Sequence, residues 1–498
     1  MIIYIKITSL FMGFILALSG CVEVTTYPVP PDEVKFDTYE LSVNSKPVDI
    51  YTCRVSKFPI NQVWPGYQRP IDQTELAGFA YWDMQESVKV EISAKERVEK
   101  VIIRPLSLGI EPVIKDNKIS FTLDRITPVI IEVNGCHHAL HLFPNPEIKD
   151  ISESKSSHMH YFGAGVHDIG RLQLQDNDTV YIAGGTVVYG YITAVNARNI
   201  HIHGRGVLDG SRIPRSNLPY IGPGCITLFG CSNISIDGVI LRDPNRWCLN
   251  LFGCRDANIS NVKLIGLWRY NSDGINVSNS QNVCVDNCFV RTYDDALEVK
   301  GVKAWEAKPV QNVRFNKCIV WCDWGRSMGV TYETRAPYIK DVTFQDCSII
   351  RSTSSVMAIT HAGKAAISNI SFRNINVELD EWIPRPKLQK FEGEKYTCNM
   401  EDKYCPSLFS IKIEKNTLED DHQGNIDTIL FENIKLYGNT NTHSSLQGLN
   451  SKQNISNVTI KNLRYNDELV TDLKEANLTI GPFVEGVKLK TNHEINKP

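Results

Sequence analysis

Asn282-Val283-Cys284-Val285, Asn312-Val313-Arg314-Phe315, Asp341-Val342-Thr343-Phe344 and Asn369-Ile370-Ser371-Phe372 are four copies of one phrase. A small polar residue is followed by apolar positions that alternate with polar ones. The phrase also stands at Asn199, Asn233 and Asn457, with looser copies at Asn258 and Thr428, and copies recur every 24 to 34 residues except for one gap of 59. Alternation this short is strand, and each unit holds two or three strands between Gly/Asn turns, too little to bury its own apolar face. Stacked coils bury it. In a parallel β-helix equivalent residues lie ~4.8 Å apart on successive coils, so recurrent Asn side chains hydrogen-bond into a ladder. Cys288, Cys318 and Cys347 occupy one position of this repeat and read as a buried stack. Neither a leucine-rich spacing nor a ~40-residue propeller period is present.

The fold class read from this is all-β, a right-handed parallel β-helix over 155–490 preceded by a small β-sandwich over 37–146. The 59-residue gap predicts one coil plus an insertion at about 381–425, where Cys398 and Cys405 stand close enough in sequence to pair. In the amino-terminal part Val88-Lys-Val-Glu-Ile-Ser and Ile119-Ser-Phe-Thr-Leu alternate, and Val129-Ile-Ile-Glu-Val ends at the turn pair Asn134-Gly135, which predicts an antiparallel sandwich. His137, His138 and His141 follow that turn with only the single Cys136 beside them and no acidic cluster, which favours half-buried histidines over a metal site.

Residues 1–20 read as a signal segment: Lys6, an apolar run from Ile7 to Leu18, then Ser19-Gly20-Cys21. The run is shorter than the ~20 residues a spanning helix needs, and small residues directly before a Cys fit bacterial lipoprotein processing. The expectation is an exported lipoprotein with lipid on Cys21, facing the periplasm or cell surface at the outer membrane, and a Pro-rich tether over 21–36. The 498 residues carry 53 Lys+Arg against 56 Asp+Glu, a formal net charge of −3, with 42% hydrophobic residues. That composition excludes a polybasic nucleic-acid binder and a disordered acidic tail. Its 14 Cys are scattered without the paired spacing of a zinc site or a disulfide framework.

A parallel β-helix names no activity, so function has to come from acidic residues on consecutive coils. Asn271-Ser272-Asp273-Gly274 opens one coil, and Tyr293-Asp294-Asp295 follows, with Asp294 21 residues after Asp273. Like charges packed this closely are costly unless one carboxyl keeps a proton, the condition a general acid needs. Calcium binding or turn capping by the Asp cluster is the competing reading. Trp247, Trp268, Trp305, Trp321 and Trp324, five of eight Trp, lie within a few coils of the acids and favour a sugar site, although core packing is the commoner fate of a single Trp.

His203-Gly204-Arg205-Gly206-Val207-Leu208-Asp209-Gly210, Asp243-Pro244-Asn245-Arg246-Trp247, Asn271-Ser-Asp-Gly and Asp294-Asp295 resemble, in order and spacing, the signature of glycoside hydrolase family 28, the polygalacturonases. The resemblance runs from about Asp178 to Val377. It implies inverting hydrolysis of a polysaccharide or oligosaccharide without metal or cofactor, with Asp294 protonating the glycosidic oxygen and Asp273 and Asp295 activating water. Asn271, Tyr293, Trp305 and Trp324 are expected at the substrate.

The family's Gly-His-Gly and Arg-Ile-Lys motifs correspond here to Gly325-Arg326-Ser327 and Ala358-Ile359-Thr360-His361. The cations that hold a uronate in the family are therefore missing, and Arg326, Arg335, His361 and Lys364 are the nearby candidates to replace them. Weak activity on unesterified polygalacturonate is expected. A sandwich followed by a β-helix with Tyr293-Asp-Asp-Ala-Leu also resembles glycoside hydrolase family 49, the dextranases and isopullulanases. A polysaccharide lyase using Arg269 or Lys300 as base, and a non-catalytic glycan-binding lipoprotein, are the further alternatives.

Overall fold

The computed structural model describes residues 24–62, 69–148, 157–215, 223–391, 393–397, 403–415 and 423–491. Cys21, Cys398 and the segment 1–20 lie outside the described residues. Apart from three short 3-10 turns, every regular element among the described residues is a strand.

From Met159 to Lys490, 32 strands form one continuous sheet that winds as a parallel β-helix. Parallel crossovers within one sheet are right-handed, the hand expected from the sequence. Each coil contributes three faces. The first carries the repeated phrase (Arg198–Gly204, Ser232–Asp237, Arg255–Ser260, Gln281–Asp286, Val310–Asn316, Tyr338–Gln345). The second is formed by Val207–Asp209, Ile240–Arg242, Lys263–Ile265, Phe289–Thr292, Ile319–Cys322 and Ser348–Ser352. The third runs through Ile226–Phe229, Leu249–Phe252, Ile275–Ser278, Leu297–Gly301, Arg326–Thr334 and Ser355–His361.

The phrase works as its composition predicts. Its polar residue sits at positive φ (Asn199 58°, Asn233 53°, Asn282 56°, Asn312 56°), a conformation Asn tolerates better than most residues. Each amide then donates to the equivalent residue one coil earlier, Asn312 to Asn282 at 3.0 Å and Asn233 to Asn199 at 2.7 Å. Asn258 is not part of the ladder: the register pairs Ser235 with Asn258, and Asp256 takes the positive-φ position and accepts from Asn282. Inside, Phe315, Phe344, Phe372 and Phe431 stack with centroids 4.9 to 5.1 Å apart, and Cys288, Cys318 and Cys347 are buried as expected.

The sandwich consists of a six-stranded and a five-stranded sheet. It departs from the expected antiparallel pattern at one seam, where Leu140–Pro146 runs parallel to Thr74–Met84. The predicted tether over 21–36 is a correction. Thr25–Thr26 pairs with Trp82 and Asp83, and Val24, Val29 and Phe36 are buried, so from Val24 onward the chain is docked on the sandwich. A two-residue strand carries no periodicity that a sequence reading detects.

The sandwich lies on the second face of the helix. Tyr51, Phe79, Tyr81, Ile130 and Phe143 bury against Val187, Val207, Ile240, Ile265, Phe289, Ile319, Trp321 and Ile350. At ~1.5–3 kcal/mol for each fully buried large apolar side chain, this seam is part of the core rather than a loose domain contact. In the insertion, Ser407–Ile413 rejoins the helix beside Ser355–His361, and Lys387–Leu388 forms a separate two-stranded sheet with Ile60–Asn61 of the amino-terminal part. The histidines after Asn134 diverge: His137 binds Glu75, His138 the Leu76 carbonyl, and His141 the Gly78 carbonyl. Cys405 is a free thiol.

Candidate active site

The turns that lead from the second face to the third carry the carboxylates. Ile275 pairs with Leu297, and Leu297 with Met328. Two residues upstream of each, this register puts Asp273, Asp295 and Arg326 side by side on three successive coils. The neighbour of Asp273 in register is therefore Asp295, with Asp294 one residue before it. Gly325 allows the close approach, since a Cβ there would stand 2.8 Å from Asp294 Oδ1 and 2.4 Å from the Asp295 nitrogen.

Two cations divide the three carboxyls. Lys300 Nζ lies 3.3 Å from Asp273 Oδ2, 3.4 Å from Asp295 Oδ2 and 3.2 Å from Glu333 Oε2, with Trp247 over it at 4.5 Å. Arg326 donates its backbone N–H to Asp295 Oδ1 at 2.9 Å, and its guanidinium lies 3.3 Å from the same oxygen. Burial would lift the Asp295 carboxyl, but Arg326 and Lys300 hold it below the usual carboxylate range. Among the described residues Asp294 has no such partner. Burial and the adjacent Asp295 push it up to about 7, against the weaker pull of Lys300 and Arg326. Burial, with Asp294 and Asp295, also raises Asp273. One turn thus presents a proton-holding carboxyl next to an ionised one, the pairing that general acid–base chemistry requires.

Lys300, named at the sequence level only as a lyase base, is the hub of this arrangement. Burial alone would lower its pKa, but Glu333, Asp273, Asp295 and Glu298 hold it well above the ordinary value, so it stays charged and serves as a counter-ion. Glu298, absent from the sequence reading, is fully buried beneath it and accepts from Thr331 Oγ1 at 2.6 Å, the same hydroxyl that stands 3.5 Å from Asp295. The alternation Leu297-Glu-Val-Lys was the available signal: Leu297 and Val299 point into the core, so Glu298 and Lys300 point outward.

The remaining predicted residues separate. Asn271, at φ 54°, accepts from Arg215 Nη2 at 3.5 Å, two residues from Asp273. Tyr293 is buried, with its hydroxyl on the Ile60 carbonyl and Arg69 4.0 Å over its ring, so it anchors the sandwich. Trp324 is half-buried and stacks on Tyr293 at 6.1 Å. Trp305 is half-buried on the outer side of the third face against Phe252 and Val302. Trp247, Trp268 and Trp321 are buried in packing. Arg335 and Lys364 both pair with Glu306, at 3.3 and 3.0 Å. His361 is fully buried with Nδ1 2.8 Å from Thr334 Oγ1, and burial lowers its pKa to about 4, so it is neutral. Ala358 and Thr360, where the Arg and Lys of the family motif would stand, are buried. A separate cavity of about 950 Å³ opens between the sandwich, the second face and the insertion, lined by Glu75, Arg291, Trp321, Asp323, Arg351 and Trp382 among others; none of the three carboxylates lines it.

Residues 176–383 match the family model described as Glycosyl hydrolases family 28, so the resemblance carried by the motifs extends over the coils that hold the carboxylates. Among curated proteins, the polygalacturonase QRT2 of Arabidopsis thaliana is 26% identical over 202 residues, 37% of this chain and 43% of that protein. Polygalacturonase-2 of Solanum lycopersicum is 22% identical over 257 residues, 49% of this chain and 50% of that protein. The chain thus spans half or less of the length of these relatives. The solved structure of Dex49A from Penicillium minioluteum aligns with 94% of this chain and 89% of its own at 15% identity and a TM-score of 0.56, which shows a shared fold across sandwich and helix.

Proposed function

We propose, from the family 28 match over 176–383 and the division of charge among its carboxylates, that the protein is an inverting O-glycosyl hydrolase of polygalacturonase type. The carrying observation is that Asp295 is held ionised by Arg326 and Lys300 while adjacent Asp294 keeps a proton up to about 7. Asp294 gives its proton to the glycosidic oxygen as the bond breaks. Asp295, aided by Asp273, removes a proton from the attacking water, so one displacement inverts the anomeric centre.

The cations among the carboxylates count against calcium, since Lys300 and Arg326 already balance the charge a divalent ion would meet. A lyase is disfavoured because Lys300 is held charged and Arg269 is paired with Asp243. One alternative keeps support: the alignment with Dex49A includes the sandwich, which the family 28 match does not, and this favours a neutral α-glucan of the family 49 kind as the second substrate reading. Reducing-sugar release across galacturonan, its methyl ester, dextran and pullulan separates these, with NMR of the fresh product reading inversion or retention. Asp294→Asn should lower kcat by ~10²–10⁴ with folding intact. Full turnover in that variant removes the assignment, and saccharide binding without any release identifies a non-catalytic binder.

The substrate partner we propose is a polysaccharide or oligosaccharide met outside the cytoplasm, with the protein held at the outer membrane by lipid on Cys21. The support is the apolar run Ile7–Leu18 followed by Ser19-Gly20-Cys21. Metabolic labelling with a fatty acid that is lost in Cys21→Ser tests it.

A further inference from the structure

The turns just before the catalytic ones carry a second concentration of charge. Arg215 follows the strand Val207–Asp209, and its side chain crosses the next two turns of the stack. Nη1 donates to the Asn245 and Tyr270 carbonyls, both at 2.7 Å, and Nη2 reaches Asn271 Oδ1 at 3.5 Å. Those contacts bring it beside Arg246 and Arg269, the sequence neighbours of Asn245 and Tyr270. Arg269 is paired with Asp243. Arg215 is half-buried, and among the described residues it meets neutral acceptors and no carboxylate. Its Nε has no hydrogen-bond partner, and neither has Oδ1 of Asn245, a residue only 3% exposed. Burial, together with Arg246 and Arg269, lowers the Arg215 pKa to about 10, the mark of a guanidinium that lacks a counter-charge.

We propose that Arg215, steadied by Asn271 and flanked by Arg246, is a subsite for the carboxylate of a uronate unit on the amino-terminal side of the scissile bond. Successive coils rise by ~4.8 Å, so a glycan lying along the stack that puts one glycosidic bond at Asp273 and Asp294 sets a neighbouring unit over the turns of Asn245 and Arg215. A planar guanidinium is suited to a carboxylate, which would also supply the counter-charge that Arg215 itself lacks among the described residues. On the other side of the scissile bond Ala358 and Thr360 offer no cation. The glycan is therefore charged where it meets Arg215 and needs no carboxylate on the far side.

This inference rests on the hydrolase reading for the position of the cleft, so its test measures binding apart from turnover. The full chain carrying Asp294→Asn is titrated by calorimetry with trigalacturonate and with its methyl ester. The acid should bind at least tenfold tighter, and Arg215→Gln in the same background should bring that ratio to within about twofold of one while the ester's affinity is unchanged. Arg215→Lys, which keeps the charge, should retain at least a threefold preference, and it decides the matter if the Gln variant melts early. Equal binding of acid and ester, a preference that survives Arg215→Gln, or a folded Lys variant with no preference overturns the subsite and leaves the hydrolase reading standing. Charge-selective binding in a wild type that releases no reducing ends does the reverse.

Discussion

At the scale of single residues, the decisive fact is that adjacent Asp294 and Asp295 are pushed in opposite directions by unequal access to cations. Turnover needs Asp294 protonated, so kcat/KM should fall as pH rises through about 7. It needs Asp295 ionised, so the acid limb should lie below the ordinary carboxylate range, where Asp295 takes up its proton. The limbs belong to the coupled pair, and a profile that keeps rising beyond pH 9 contradicts the pairing. Lys300→Met removes the cation that touches Asp273, Asp295 and Glu333. The ionised form of Asp295 then loses support, and the acid limb should move up by ~1 pH unit or more while kcat drops at least tenfold. A purely structural lysine would lower the melting temperature without moving that limb. The carboxylates were legible in the sequence because Asn271-Ser-Asp-Gly and Asp294-Asp295 are contiguous motifs. Their charge states were not, since Arg326 reaches Asp295, and Lys300 reaches Asp273, only through the register between coils.

At the scale of the element, the coil is defined by a residue that turns the chain at positive φ and bonds to its copy below. Asn312→Ala should cost ~1–3 kcal/mol from the left-handed conformation plus ~1 kcal/mol from the lost bond to Asn282. Asn312→Gly keeps the conformation and should cost only the second part. Urea unfolding of both variants measures the difference, and equal losses would show that conformation is not what Asn supplies. The repeat was readable for the same reason, since one conformation demanded at every coil leaves one residue type recurring. Where Asp meets the demand equally well, as at Asp256, a pattern written in Asn slips to Asn258. The cleft cations expected from proximity in sequence, Arg335 and Lys364, fold instead onto Glu306. Arg215, two turns away in the stack and 58 residues before Asp273, had no local pattern to announce it.

At the scale of the whole molecule, sandwich and helix share one interior. A chain truncated to begin at residue 157 would expose Val187, Ile240, Ile265, Phe289, Ile319, Trp321 and Ile350 together, a patch of the kind that drives association. It should be recovered aggregated, and a soluble monomeric fragment with native circular dichroism would refute the shared core. Arg104 extends the seam to the end of the strand Ala366–Leu379, just before the insertion, meeting Glu132 at 3.1 Å, Glu378 at 2.7 Å and Asp380 at 2.6 Å. A bare solenoid comes apart from its ends, because each coil leans only on its neighbours. Here the sandwich lies along the coils from Val187 to Ile350 like a splint, and the coils from Ile426 to Lys490 extend past it. The molecule therefore has a stiff end and a loose one. Amide hydrogens in the strands around Asp273 and Asp294 should exchange only on global unfolding, while those of Ile455–Lys461 and beyond open first, so heat or force would peel the far coils away before the carboxylates lose their register.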